Sequence, residues 1–123
     1  MSTSTTRPNE QLFDQIKLTI MTEYFPTELS KSPKGSMKFF VRDGELAISY
    51  HQNRISLLDK EEQPEIGGMK RSQLFTLLTL IEGKFTSLAP IEYGTIVITY
   101  ELLEDGQISG EILVETQINH RRR

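Results

Sequence analysis

The sequence predicts an α+β domain: an antiparallel sheet of about five strands, with two helices packed on one face and the element order α-β-β-β-α-β-β. Two observations predict this class. Two Asp-Gly dipeptides lie between segments whose apolar residues match across a hairpin, and two other stretches repeat apolar residues at helical spacing. The 123 residues suit a single domain with one core.

The domain is expected to occupy residues 9–118, between two polar ends. Residues 1–8 are rich in Ser and Thr and predict a disordered leader, whereas residues 119–123 form a short basic tail. No apolar run reaches the roughly 18 residues needed to span a bilayer, and the N-terminus lacks the apolar core of a secretory signal. We therefore expect no membrane segment and a cytoplasmic location.

The first helix follows Pro8, whose missing N–H costs nothing in the first helical turn. Its apolar stripe consists of Leu12, Phe13, Ile16, Ile20, Met21 and Tyr24. Pro26 disfavours helical geometry at Phe25, so this helix should end near Phe25.

The first hairpin is predicted by Asp43-Gly44, which favours a two-residue turn of type I′. In the register set by this turn, three apolar pairs share one face: Val41 with Leu46, Phe39 with Ile48, and Met37 with Tyr50. A second turn at Gln52-Asn53 would extend that face onto a third strand through Ile55 and Leu57. A single long bent strand over residues 45–58 is the alternative.

The second helix follows a charged loop at residues 59–68, and Ser72 is its candidate N-cap. Its apolar stripe consists of Leu74, Leu77, Leu78 and Ile81. Gly83 is a natural C-terminal stop for this helix.

The last hairpin contains the second Asp-Gly pair, and here a three-residue loop over residues 104–106 gives the better register. Gly106 would take the left-handed position of that loop. The facing pairs are Leu102 with Ile108, Ile98 with Ile112, Ile96 with Val114, and Tyr100 with Gly110. Gly110 leaves room for the Tyr100 ring.

Charge is distributed unevenly along the chain. Residues 72–118 contain one lysine, Lys84, against seven carboxylates. Because nucleic-acid binding depends on lysine and arginine that neutralise phosphates, we expect no nucleic-acid partner except through Arg121, Arg122 and Arg123.

Residues that usually carry chemistry are scarce. The absence of cysteine excludes disulfides, thiolate catalysis and cysteine-ligated metals. His51 lies beside the predicted turn at Gln52-Asn53 without an orienting acid or nucleophile nearby in sequence, which indicates a solvent-exposed histidine. No nucleotide-binding, calcium-binding or nucleophile motif is present, so we predict no catalytic, cofactor-binding or metal-ligating residue.

The order of elements in an acidic chain of 14.1 kDa resembles that of the small homodimeric chaperones of type III secretion. The resemblance is one of topology and covers roughly residues 9–117. Its nearest textual match is the leucine-rich helix over residues 74–81, followed by the hairpin that contains Glu104-Asp105-Gly106. It implies a homodimer that binds other proteins. Unlike those chaperones, this chain has no third helix after Thr116, so no binding positions are carried over.

The sequence therefore favours a non-enzymatic protein-interaction or adaptor domain, chaperone-like and homodimeric, over an enzyme. Strand edges that a partner or a second copy can pair with support this hypothesis. The candidate pocket or interface residues are Tyr24, Phe25, Phe40, Tyr50, Val97, Tyr100 and Leu113. The alternative hypothesis is a small-molecule-binding or catalytic domain with its pocket between the sheet and the helices.

Overall fold

The computed structural model describes residues 9–53 and 68–117 and has the α+β class that the sequence predicts. Its elements are α1 (Glu10–Thr19), a π-helical segment (Ile20–Leu29), β1 (Lys34–Arg42), β2 (Glu45–Asn53), α2 (Arg71–Phe85), β3 (Tyr93–Leu102) and β4 (Ile108–Thr116). All neighbouring strands are antiparallel, in the order β2-β1-β3-β4. The helices pack on one face, with α1 against β2 and α2 against β4.

The described sheet has four strands instead of about five. The third strand predicted through Ile55 and Leu57 lies outside the described residues, as do the leader at 1–8 and the tail at 119–123. Within residues 9–53 and 68–117, no helix combines the length and the apolar content that crossing a membrane requires.

The β3–β4 hairpin confirms its predicted register. Gly106 has a φ of 90°, and the Leu103 N–H donates to the Gln107 carbonyl at 2.8 Å, which leaves residues 104–106 as the loop. The four predicted pairs are present: Leu102 with Ile108, Ile98 with Ile112, Ile96 with Val114, and Tyr100 with Gly110. The apolar residues of the two strands, matched across a three-residue loop with Gly106 in the left-handed position, predict this hairpin.

The β1–β2 hairpin has the predicted turn but a different register beyond it. Asp43 and Gly44 both have positive φ, 57° and 75°, as a type I′ turn requires. The next pairs are Arg42 with Glu45 and Val41 with Leu46, but then Phe40 pairs with Ile48. The predicted pairs Phe39 with Ile48 and Met37 with Tyr50 are therefore wrong; Phe39 pairs with Ser49, and Met37 with His51.

A β-bulge at Ala47 causes this change, because one extra residue in β2 shifts every later side chain to the opposite face. The bulge has support from α1: the Leu46 N–H donates to the Gln15 side-chain oxygen at 2.7 Å. Past the bulge, Ser49 and His51 point toward the helices, whereas Ile48 and Tyr50 point away from them.

The first helix does not end near Phe25. Its α-helical part ends at Thr19, and the chain continues in wider π-helical turns through Pro26 to Leu29. The Ser30 N–H donates to the Phe25 carbonyl, five residues earlier, at 3.0 Å. Proline clashes with the carbonyl four residues before it in an α-helix, and the wider turn moves that carbonyl away.

Asn9 joins the two helices at one end of the domain. It has a φ of 64°, which asparagine tolerates better than most residues. Its side-chain amide donates to the Ala89 carbonyl at 3.1 Å, and its side-chain oxygen accepts from the Ile91 N–H at 2.9 Å. The start of α1 is thereby fixed against the end of α2 and the chain that leads to β3.

The second helix is longer at both ends than the sequence predicts. It begins at Arg71 with Lys70 as the N-cap, so Ser72 is not the cap, and it passes through Gly83 to Phe85. Its buried residues, Leu74, Leu77, Leu78, Ile81 and Phe85, face the sheet. Together with residues of α1, the π-helical segment, β1 and β3 they form the core, whose largest fully buried side chains include Tyr100, Phe39 and Leu12.

The bulge leads to a test with two matched deletions. Removal of Ala47 makes β2 regular while every other side chain keeps its face, so we expect a cooperative fold with a loss of less than about 2 kcal/mol. Removal of Ser49 leaves the bulge and turns Tyr50 inward and His51 outward, which we expect to cost more than about 3 kcal/mol. Urea unfolding followed by circular dichroism measures both. Equal losses for the two deletions would contradict the observed register.

Candidate functional site

The sheet face opposite the helices carries exposed apolar side chains in adjoining rows. One row across the four strands consists of Tyr50, Lys38, Val97 and Leu113, and the next consists of Ile48, Phe40, Thr95 and Glu115. We call Phe40, Ile48, Tyr50, Val97 and Leu113 the open-face belt. The side chains of Ile48, Tyr50 and Leu113 are 52%, 52% and 57% exposed. Contiguous exposed apolar groups of this kind are typical of interaction surfaces.

The belt is ordered by aromatic contacts on the β1–β2 half. The rings of Phe40 and Tyr50 are 5.7 Å apart and perpendicular, the edge-to-face arrangement that aromatic pairs prefer. The Lys38 ammonium lies 5.5 Å from the centre of the Phe40 ring. These contacts favour the observed conformations of the side chains, and such preorganisation lowers the entropy lost when a partner packs on them.

Four of the seven candidate residues lie together on this face: Phe40, Tyr50, Val97 and Leu113. Ile48 was missing from the candidates because the register without a bulge assigned it to the core. The sequence of β2 does not itself indicate a bulge. The side chain that hydrogen-bonds to the backbone beside the bulge, Gln15, belongs to α1.

The other three candidates lie on the helix side of the sheet. Phe25 is half-buried in the π-helical segment, with the Arg71 guanidinium 5.8 Å from its ring centre. Tyr24 and Tyr100 lie on either side of His51, with ring centres 5.6 Å and 6.1 Å from the imidazole. The seven candidates therefore do not form one site.

His51 is the centre of a polar cluster, and its side chain is 5% exposed; the expected solvent-exposed turn histidine is therefore wrong. Its Nε2 is 2.8 Å from the Tyr100 hydroxyl, and its Nδ1 is 3.8 Å from a Glu28 carboxylate oxygen. The Tyr24 and Ser49 hydroxyls share a hydrogen bond of 2.6 Å. The cluster thus joins the π-helical segment, β2 and β3.

Burial sets the protonation of this cluster. Removal from water lowers the pKa of His51 below 6.5, and the nearby Glu28 carboxylate opposes this effect in part. Burial and, secondarily, the Glu28 charge raise the pKa of Tyr100 to about 12. Both groups are neutral at pH 7. A proton on Nδ1, facing Glu28, leaves Nε2 to accept from the Tyr100 hydroxyl.

This cluster is suited to fixing β2 rather than to catalysis. Tyr100 is only 1% exposed, and the hydroxyl groups of both tyrosines are hydrogen-bonded within the protein. Nowhere in the described part of the chain do three or more His, Asp or Glu side chains gather as a metal site requires.

A second apolar surface is the groove between α2 and β4, which we call the α2–β4 groove. It has a volume of about 720 Å³ and is lined on the helix side by Leu77, Leu80 and Ile81 and on the sheet side by Ile112 and Val114, among others. It lies at the outer strand of the sheet, and its helix-facing residues Ile112 and Val114 are on the face opposite the open-face belt. The belt residues Val97 and Leu113 also contribute to its lining.

The chain was compared with known proteins at the level of family, sequence and structure. It matches no protein-family model, no curated protein and no solved structure. The resemblance to type III secretion chaperones therefore stays a prediction.

The lowered pKa of His51 predicts how stability depends on pH. Because the folded-state pKa lies below the unfolded value of about 6.5, protonation favours the unfolded chain. Stability is therefore complete above pH 6.5 and falls as the pH drops below it, by at most about 1.4 kcal/mol per pH unit for this one group.

The measurement is urea unfolding of the wild type and of His51→Gln between pH 5 and pH 8. We expect the variant to be less stable at pH 8 and to lose the part of the pH dependence that His51 causes below pH 6.5. Parallel stability curves for the two proteins across this range would show that His51 titrates normally in the folded state.

Proposed function

We propose that this chain is a non-enzymatic protein-binding domain that acts as a homodimer, with the open-face belt as the interface between its two copies. The observation that carries the proposal is the belt itself. Three of its five aromatic and aliphatic side chains are more than half exposed. Covering them with a second apolar surface removes them from water, which is favourable in free energy.

A second copy of the chain can cover this face, because one two-fold rotation brings apolar side chains of the two copies into contact. An axis parallel to the strands, between β1 and β3, lays β2 of one copy over β4 of the other. Tyr50 then lies over Leu113, and the aliphatic stem of Lys38 over Val97. In the next row, Ile48 lies over Glu115, whose aliphatic stem it covers. Face-to-face packing of two sheets in nearly aligned directions is common in proteins.

The other two-fold axis is unfavourable. A two-fold axis perpendicular to the strands and level with Leu113 places β4 of one copy over β4 of the other. Glu111 of one copy then lies over Glu115 of the other. It costs free energy to bring like charges together in an interface from which water is excluded. Leu113 meets an apolar residue under either axis, so it is charge that selects the axis parallel to the strands.

The alternative hypothesis, a small-molecule or catalytic site around the tyrosines, has less support. Tyr50 lies on the face opposite Tyr24 and Tyr100, so these rings do not line a common pocket. The hydroxyls of Tyr24 and Tyr100 are engaged with Ser49 and His51. A ligand would have to displace both bonds to use those hydroxyls.

The dimer is tested by sedimentation of the wild type, of Ile48→Glu, and of Ile48→Glu with Leu113→Glu. The wild type should sediment at twice its 14.1 kDa mass at tens of micromolar. Each substitution occurs twice in the dimer, once in each copy. We therefore expect Ile48→Glu to raise the dimer Kd at least tenfold and the double variant at least a hundredfold.

The matched control is Leu18→Glu, which introduces the same change at a 63% exposed leucine of α1. This variant should keep the wild-type Kd, and circular dichroism should show all the proteins folded. A monomeric wild type at these concentrations, or a double variant that remains dimeric, would overturn the proposal.

A further inference from the structure

The α2–β4 groove is an incompletely covered part of the core. The helix-facing residues of β3, Ile96 and Ile98, are fully buried, but their neighbours on β4, Val114 and Ile112, are only half-buried. Above them, Leu80 of α2 is 54% exposed. The groove is therefore wide enough for further apolar side chains between the helix and the outer strand.

The strand that borders this groove has an edge well suited to pairing. β4 pairs with β3 over all nine of its residues without a bulge, and it is the last strand in the order β2-β1-β3-β4. The other outer strand, β2, is interrupted by its bulge at Ala47. A regular edge strand presents backbone N–H and C=O groups in position for another strand, whereas a bulge hinders such pairing.

The side chains of β4 define the chemistry of a strand that pairs with it. On the open face, Glu111 and Glu115 would lie about 4.5–5.5 Å from the facing side chains of a new strand. Those facing side chains are therefore basic. On the other face, the new strand's side chains enter the apolar groove. Leu113 lies between the two glutamates on the open face, and the aliphatic stem of a basic residue can cover it. The complementary segment therefore alternates basic and apolar residues.

A second copy of β4 does not fit this description. The antiparallel register that sets apolar residues opposite one another, with Leu113 on the two-fold axis, also sets Glu111 of one copy opposite Glu115 of the other. Like charges directly opposite each other destabilise a strand pair. The acidic edge therefore selects a different, basic partner.

We infer that the edge of β4 and the α2–β4 groove bind an extended segment of another protein, in which apolar and basic residues alternate, as an added strand of the sheet. The inference rests on the proposed protein-binding function but does not require the dimer. Backbone hydrogen bonds to β4 give affinity, and the groove with Glu111 and Glu115 gives specificity.

The probe is a capped nine-residue peptide in which valine and lysine alternate, carrying a fluorophore for anisotropy titration at low salt. A peptide with glutamate in place of lysine is the charge control and should bind at least tenfold more weakly. Glu111→Lys with Glu115→Lys should invert this preference. Leu80→Asp should weaken binding of the lysine peptide at least tenfold, whereas Leu18→Asp, at the exposed leucine of α1, should not change it.

Two methylated peptides test strand addition itself. In an extended segment, successive N–H groups point to opposite sides, so methylation of all valine nitrogens or of all lysine nitrogens blocks only one side. We expect one of these peptides to lose at least tenfold in affinity and the other to bind as the unmethylated probe does. If both methylated peptides bind as the unmethylated probe does, or both lose affinity, the inference is overturned. Unchanged binding of the lysine peptide by Leu80→Asp would also overturn it.

The two proposals fail separately. Ile48→Glu should dimerise at least tenfold more weakly yet bind the probe as the wild type does, and Leu80→Asp should dimerise as the wild type does. A wild type that dimerises but shows no binding of the probe overturns only the inference about β4. A monomeric wild type that binds the probe overturns only the dimer.

Discussion

The register of β2 is the constraint on which the rest of the structure depends. One extra residue, Ala47, decides which side chains of this strand face the helices. With the bulge, His51 reaches Tyr100, while Ile48 and Tyr50 join Phe40 on the open face. If Ala47 instead paired with Phe40 in a regular strand, the two apolar residues would enter the core and the histidine would point to solvent. The buried cluster and the open-face belt are thus two consequences of one bulge.

Local turn chemistry explains why part of this fold follows from sequence and part does not. The β3–β4 register was predictable because Asp105-Gly106 sets the loop and Gly110 admits the Tyr100 ring, both within one hairpin. The bulge in β2 could not be predicted in this way, because the side chain that hydrogen-bonds to Leu46 beside it is Gln15 of α1, thirty-one positions away. The same reason applies to the site: Val97 and Leu113 follow from strand alternation, but Ile48 requires knowledge of the bulge.

The two proposed surfaces divide the domain in a physically consistent way. A dimer formed through the open-face belt covers the side of the sheet that faces away from α1 and α2, so the α2–β4 groove remains accessible in it. The acidic residues of β4 contribute to both surfaces by exclusion: Glu111 and Glu115 disfavour the wrong dimer axis and disfavour self-pairing of the strand edge. In both proposals their effect is to disfavour a like-charged partner.

The most direct test of this account is a set of interstrand nuclear Overhauser effects between β1 and β2 in isotope-labelled protein. The account predicts backbone contacts of Phe40 with Ile48 and of Phe39 with Ser49, together with side-chain contacts between His51 and Tyr100. Backbone contacts pairing Phe39 with Ile48 and Met37 with Tyr50 would contradict it, because Ile48 and Tyr50 would then lie in the core and the open-face belt would not exist.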